Sequence, residues 1–464
     1  MHPDPLLLSR IQWAWVIGWH ILLPAFTVGL ASYIAVLEGL FFFTGRDHWF
    51  RISRFWTRIF SVSFAMGVVS GIVMPFQFGT NWSRFSDAAS NVISPMLAYE
   101  DLMAFFLEAT FLGVLLFGRH LVPRWTHFLA ACMVAVGTLF SSFWILSVNS
   151  WMQTPAGFEV RDGRFFPTDW LAAIFNPSFP YRLAHNVSAF YVTTAFVVLG
   201  VSAYLIRKRN HAVDGECTMR MALGFLTLFV PLQIVLGDMH GLNTREYQPA
   251  KLAAIEGRYD TARYAPLTLL GIPNAKAERM DYAIEVPWLG SLILTHSLDG
   301  EIKGLKDFPP DQRPPIGFVF YAFRIMVGIG FLMLGVVALS WWLRWRGRLF
   351  QTGWFLTLCQ WTAPLGFVAV LAGWTTTEVG RQPWTVYGLM RTEHSVSPSL
   401  TGQDVLWSFL AYVAVYLLMY PAGIAVMARM VRQGPVEEAM TARPIEALQP
   451  SSPITGTPAA VSGE

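Results

Sequence analysis

Thr375-Thr376-Thr377-Glu378-Val379-Gly380-Arg381-Gln382-Pro383-Trp384 closes an apolar run that begins near residue 353, and it sets a carboxylate and a guanidinium three residues apart at the end of a hydrophobic helix. Acidic and basic groups near hydrocarbon cost about 2.5 to 3.5 kcal/mol each at mid-bilayer and less toward the interface, so they tend to face a cavity, a partner or a cofactor. Two readings of the stretch stand. Either Glu378 is an anionic ligand for a buried cation, or Glu378 and Arg381 pair at the water boundary while Pro383 ends the helix. The other polar groups sent to the same level decide between them.

The 464-residue chain is 54% hydrophobic and only 14% charged, with 19 Trp and 36 Phe. A soluble chain carries roughly a quarter charged residues, so this composition specifies an all-α polytopic membrane protein. The net charge of +3 comes without a basic stripe, which sets nucleic acid aside. Cys132, Cys217 and Cys359 lie far apart with no Cys-x-x-Cys spacing, which suggests neither a disulfide framework nor a thiolate metal site. Arg10 alone precedes the first apolar run and no small-residue cleavage site follows, so that run is read as a retained helix.

Apolar windows able to cross about 30 Å of hydrocarbon fall near 13–43, 55–78, 97–117, 126–149, 184–206, 220–240, 317–343, 353–375 and 405–429, which predicts nine membrane helices. Basic residues follow the odd-numbered helices: Arg46, Arg51, Arg54 and Arg58; Arg119 and Arg124; Arg207, Lys208 and Arg209; Arg344, Arg346 and Arg348; Arg429 and Arg432. The positive-inside rule then puts the N-terminus outside and the C-terminus inside. The expected division is 1–240 (helices 1–6), 241–316 (a structured outer loop), 317–430 (helices 7–9) and 431–464 (a disordered inner tail rich in Pro, Ala, Ser and Thr). Residues 150–183 form a second long outer connection.

Several residues can carry chemistry. His20 lies within helix 1 and His185 begins helix 5; a lone intramembrane histidine is either hydrogen-bonded to a neighbouring helix or a metal ligand. Helix 7 opens Phe323-Arg324-Ile325-Met326, and Arg324 either neutralises a buried anion such as a propionate or snorkels to the outer interface. Met326 alone would be core filler. Helix 3 carries Glu100 and Glu108, about 12 Å apart along a regular α-helix, and Glu108 near mid-membrane suits proton relay, with Ser141, Ser142 and Asn149 of helix 4 able to extend the path. His20, His185, Met326 and Glu378 all fall in the outer half of the bilayer on four helices, and imidazole, thioether and carboxylate are the ligand types that hold haem iron or other transition metals. Spacing alone does not pair them.

The chain resembles subunit I of the cytochrome bd-type quinol oxidases. The likeness spans nearly all of residues 9–430 through five blocks in family order: Phe76 to Trp82, Leu102 to Glu108, Lys251 to Glu256, Phe323 to Met326, and Gly380 to Trp384. The resemblance implies a respiratory terminal oxidase subunit that oxidises ubiquinol or menaquinol at the outer face, reduces oxygen to water, takes protons from the cytoplasm and does not pump. It implies His185 and Met326 as ligands of a low-spin haem b with Arg324 beside it, Glu378 on a high-spin haem b with Arg381 and Trp384 near the cofactors, and His20 on the oxygen-reducing haem, which is haem d or a haem b in its place. Lys251 and Glu256 match the quinol-site pair, and Glu100, Glu108 and Ser141 the proton path. A homologous subunit II, small single-helix subunits and the bacterial cytoplasmic (inner) membrane are implied with them.

Gly304-Leu305-Lys306 passes almost directly to Pro314-Pro315, and Gly237-Asp238-Met239-His240-Gly241-Leu242-Asn243 together with Met74-Pro75-Phe76 look like the short-loop, cyanide-insensitive branch; His240 is read as a loop residue. A haem-copper oxidase needs about six intramembrane histidines, and a bc-type cytochrome b needs paired histidines about fourteen apart; neither pattern is present. The alternative from another class is a haem-free secondary transporter, which predicts internal repeats. None is visible.

Overall fold

The structure is a computed structural model, and it describes residues 4–209 and 211–435. Among these, nine helices are long and apolar enough to cross a membrane: Pro5–Thr44, Asp47–Thr80, Ser83–His120, Arg124–Gln153, Phe179–Arg207, Ala212–Tyr247, Ile316–Trp345, Gly353–Val379 and Gly402–Gln433, here helices 1 to 9. Prolines shape several of them. Pro24 restarts helix 1 after Leu23, Pro75 follows the break at Val73 in helix 2, and Pro364 precedes the restart of helix 8 at Leu365. Proline lacks the N–H that would continue the ladder and its ring crowds the preceding turn. Helix 3 differs: Glu100–Phe105 is a π-helical segment between two α-helical stretches.

Helix 5 is the hub, with 72% of its most apolar window buried, against 11% for helix 9. Small residues admit its neighbours. A Cβ on Gly29 of helix 1 would stand 2.3 Å from the Thr194 hydroxyl, one on Gly366 of helix 8 2.6 Å from that of Thr193, and one on Gly200 2.6 Å from Ala363. Such close backbone approach is how membrane helices gain packing without a hydrophobic driving force between them.

One end of the bundle carries the long connections. Strands β1 (Phe158–Arg161) and β2 (Arg164–Pro167) form a hairpin whose Asp162-Gly163 turn has positive φ at both residues (50° and 77°), the geometry that matches strand twist. Its Phe158 and Phe165 rings pack edge-on to Trp151. Between helices 6 and 7 lie the loop helix Pro249–Glu256 and the hairpin β3 (Leu267–Asn274) and β4 (Arg279–Val286); β5 (Trp384–Val386) and β6 (Met390–Arg391) follow helix 8. The opposite end collects the arginines. There Glu38 of helix 1, 2% exposed, accepts hydrogen bonds from Ser53 and Arg119 and lies 3.1 Å from His127 Nδ1, joining four helices.

Hydropathy windows set helix ends too early, because a helix keeps its backbone bonds after leaving hydrocarbon. Helix 6 was expected to end at 240 and runs to Tyr247, so the loop begins at Gln248 and His240 is helical. Helix 5 starts at Phe179, not 184. Val431, Arg432 and Gln433 belong to helix 9, and the tail expected to be disordered lies outside the described residues from 436 onward.

Candidate functional site

The loop helix Pro249–Glu256 is set by its sequence: Pro249 occupies the first turn, where no N–H is needed, and Gly257 closes the helix at φ 68°. Seven of its eight residues are buried, including two ionisable ones, Lys251 and Glu256, each 4% exposed. Both are the residues expected at a quinol site, and they point into different networks.

Lys251 reaches helices 4 and 8. Its Nζ donates to Gln153 Oε1 at 2.6 Å, which also accepts from Gln248 Nε2 at 3.0 Å. Gln153 Nε2 in turn donates to Glu378 Oε1 at 3.2 Å, and Asn149 Nδ2 donates to the same oxygen at 3.1 Å. Arg381 holds the other Glu378 oxygen at 2.6 Å, and Arg182 Nη2 stands 3.8 Å from Oε1 while also donating to Asn149. A Cβ on Gly380 would meet Lys251 Cγ at 2.8 Å, so glycine there admits the lysine. The Glu378–Arg381 pair therefore exists, within a larger network in which Arg381 and Lys251 are buried and Glu378 is 30% exposed. Trp384 stands aside from it, its ring under the Arg391 guanidinium at 5.3 Å.

Glu256 turns to helix 7. Arg324 Nη2 lies 3.5 Å from its Oε2, donates to the Thr268 carbonyl at 2.6 Å, and the same guanidinium donates to Ile255 O and covers the Phe320 ring at 4.3 Å. Arg324 is thus held inward and does not snorkel. Burial raises the Glu256 pKa above the ordinary carboxylate value, against the pull of Arg324 and Arg258. Burial lowers that of Lys251 well below the ordinary lysine value, with Arg182 pushing the same way.

The remaining candidate ligands, His20, His185 and Met326, are not hydrogen-bonded or ion-paired to one another. His20 Nδ1 is 2.9 Å from Ser70 Oγ, whose own proton goes to the Gly67 carbonyl at 3.1 Å. His185 faces Gln233 of helix 6, and Met326 faces helix 8. Each ligand type lies against a glycine: a Cβ on Gly71 would stand 3.2 Å from His20 Cε1, on Gly237 3.3 Å from His185 Cε1, and on Gly373 2.9 Å from Met326 Sδ. In helix 3, Glu100 Oε1 accepts from Ser141 at 2.7 Å. Glu108 packs where Gly137 leaves room, 2.5 Å from the place of a Cβ, and its Oε1 is buried without a partner.

These residues fit haem. Imidazole, thioether and carboxylate side chains that stand singly are the donors that would hold haem iron. Near Glu378 the buried N–H groups without partners are Arg182 Nε, Arg381 Nε and Nη1, and Trp374 Nε1, and others, among them Arg258 Nε, lie elsewhere in the bundle; unpaired guanidinium donors beside one another suit an anion, as porphyrin carboxylates would supply. Sequence reasoning missed Arg182, Gln153, Gln233 and Gln248. Arg182 falls in the apolar-poor connection 150–183, yet it lies three residues before His185 in the same helix, a spacing that marks one face.

The family model described as Cytochrome bd terminal oxidase subunit I matches residues 8–435. The chain is 35% identical over 440 residues to Cytochrome bd ubiquinol oxidase subunit 1 of Bacillus subtilis (strain 168), covering 92% of this chain and 94% of that protein. It is 33% identical over 503 residues to Cytochrome bd-II ubiquinol oxidase subunit 1 of Escherichia coli (strain K12), covering 93% and 97%. Its fold matches the solved structure of the bd oxidase from Geobacillus thermodenitrificans with a TM-score of 0.85 at 33% identity, over 93% of this chain and 100% of that one. Nine apolar helices among the described residues, a family match over residues 8–435 and relatives 33 to 35% identical over nearly the whole length place the chain in the cytochrome bd terminal oxidase subunit I family.

Proposed function

We propose that the chain is the haem-bearing subunit of a quinol oxidase in the bacterial cytoplasmic (inner) membrane, with its long-loop end outside and its arginine-rich end in the cytoplasm. The observation that carries this reading is the set of buried, partnerless N–H groups on Arg182 and Arg381 beside Glu378. His185 and Met326 would hold a low-spin haem b, Glu378 a high-spin haem b, and His20 the oxygen-reducing haem, either haem d or haem b. Haem, when bound, supplies electron transfer and oxygen reduction. Arg324, Arg381 and Arg182 supply the positive charge that balances carboxylates nearby. The haem-free transporter does not survive membership of this family.

Lys251 and Glu256 bind and orient the two quinol oxygens. Burial disposes Lys251 toward the neutral amine and Glu256 toward the neutral acid, so each gives up its charge more easily than an exposed group does, which suits them to proton exchange with a quinol hydroxyl. Protons released there leave to the outside. On the other side of the site, Glu108 and Glu100, the latter held by Ser141, bring protons from the cytoplasm. Charge separation then arises from proton travel without pumping. The compact loop from Gln248 to Pro315 fits the short-loop branch of the family, and ubiquinol or menaquinol is the donor. A homologous subunit II and small single-helix subunits complete the assembly, for which the exposed helix 9 leaves apolar surface available.

The test is an optical spectrum of the purified complex. Dithionite should produce haem b bands, and their absence would overturn the proposal. Met326→Leu, nearly isosteric and expected to change stability by less than about 1.5 kcal/mol, should remove or convert the low-spin signal while the complex assembles. An unchanged spectrum would make Met326 a packing residue.

A further inference from the structure

We propose that Gln233 orients the His185 imidazole and sets how readily the haem held there is reduced; this rests on His185 being an iron ligand. Gln233 and Gly237 are one turn apart on helix 6 and form the surface against which the ring lies. The Gln233 Nε2 donates to the His185 carbonyl at 3.1 Å and stands 3.3 Å from both ring nitrogens. Its Oε1 is buried and has no partner. The His240 ring, 5.7 Å away centroid to centroid and tilted by 57°, forms no hydrogen bond with it. Among the described residues, Gln233 is the side chain that hydrogen-bonds the His185 ring.

An imidazole that ligates iron is neutral: one nitrogen gives its lone pair and the other keeps a proton that needs an acceptor. Whichever nitrogen takes the iron, the other is within 3.3 Å of this amide. The carboxamide also carries an acceptor, Oε1, that has no partner, so a rotation that turns Oε1 to the ring supplies the missing acceptor in exchange for the bond Nε2 gives the His185 carbonyl. Accepting that proton makes the imidazole more basic, which favours ferric iron and lowers the potential.

The experiment is a reductive titration of the purified oxidase complex, following the haem signal that His185→Ala abolishes. Gln233→Leu, which removes the acceptor, should move that haem to higher potential, with a several-fold rise in its reduced-to-oxidised ratio at fixed ambient potential. Gln233→Glu, a stronger acceptor, should move it several-fold the other way with haem content retained. Opposite shifts confirm the role, as does a Gln233→Leu complex lacking that haem while Gln233→Glu retains it at lowered potential. Wild-type potentials in both haem-loaded variants would overturn the inference. If His185→Ala leaves every haem signal intact, the ligand reading has failed instead, and the two failures are distinct.

Discussion

Glu38 and Glu378 are both carboxylates placed among cationic side chains at opposite ends of one bundle, and they differ in what is left over. Around Glu38, Ser53, Arg119 and His127 are all engaged, and the far nitrogen of His127 meets the Leu115 carbonyl at 3.0 Å. No buried polar atom of these four residues lacks a partner. Around Glu378, Arg182 and Arg381 retain three buried nitrogens with nothing to bind. A closed network fixes helices; an open one keeps binding capacity for something outside the chain.

The contrast can be broken by mutation. Glu38→Ala strands Arg119 and His127 and should destabilise the subunit by about 3 to 5 kcal/mol, read by thermal unfolding in detergent; a neutral result would show that the Glu38 network is not a clamp. Glu378→Ala should act on cofactor and turnover instead, lowering haem content and oxygen consumption on the order of 100-fold with unfolding close to that of haem-depleted wild type. If it unfolds the protein as Glu38→Ala is expected to, the two sites are alike and the distinction falls. Glu108→Gln leaves the shape and should slow oxygen uptake by about tenfold or more with haem content intact; wild-type turnover would remove Glu108 from the proton route.

The smallest effect is expected at Glu256. Burial raises its pKa, so at low pH it is a neutral acid unable to take a proton from quinol. Quinol kcat/KM should therefore climb as pH rises through that raised value, and Glu256→Gln should flatten the climb. The same shift has a stability sign. The folded loop favours the protonated acid, so its contribution is complete at low pH and is lost as pH rises through the folded value. A pH profile identical in the variant would leave Glu256 a structural partner of Arg324.

Nine helices and their order were legible in hydropathy, because hydrocarbon thickness imposes a length that composition must meet. Helix ends were not, since polar residues such as those from Asp238 to Tyr247 stay helical beyond the apolar core. Among site residues, the Glu100–Ser141 bond joins two side chains named from sequence on neighbouring helices. That Lys251 reaches Gln153 while Glu256 reaches Arg324 was not legible, because position along a helix does not say which neighbour each side chain meets. Gln153 and Gln233 were invisible for a related reason: a glutamine in an apolar run carries no charge to flag it, and its importance lies in partners 225 and 48 residues away. The Glu38 network was equally hidden, its members lying 15, 81 and 89 positions apart.

The π turn from Glu100 to Phe105 means that helix 3 holds one residue more than a regular helix needs to cover the same height. Each residue of an α-helix advances the azimuth by about 100°, so this surplus sets the phase between everything before it and everything after. Excising one residue there would relax the coil to ordinary pitch and swing Glu108 out of the notch at Gly137 toward lipid, without altering a single functional group. For this stretch of the chain, the count of residues matters as much as their identity.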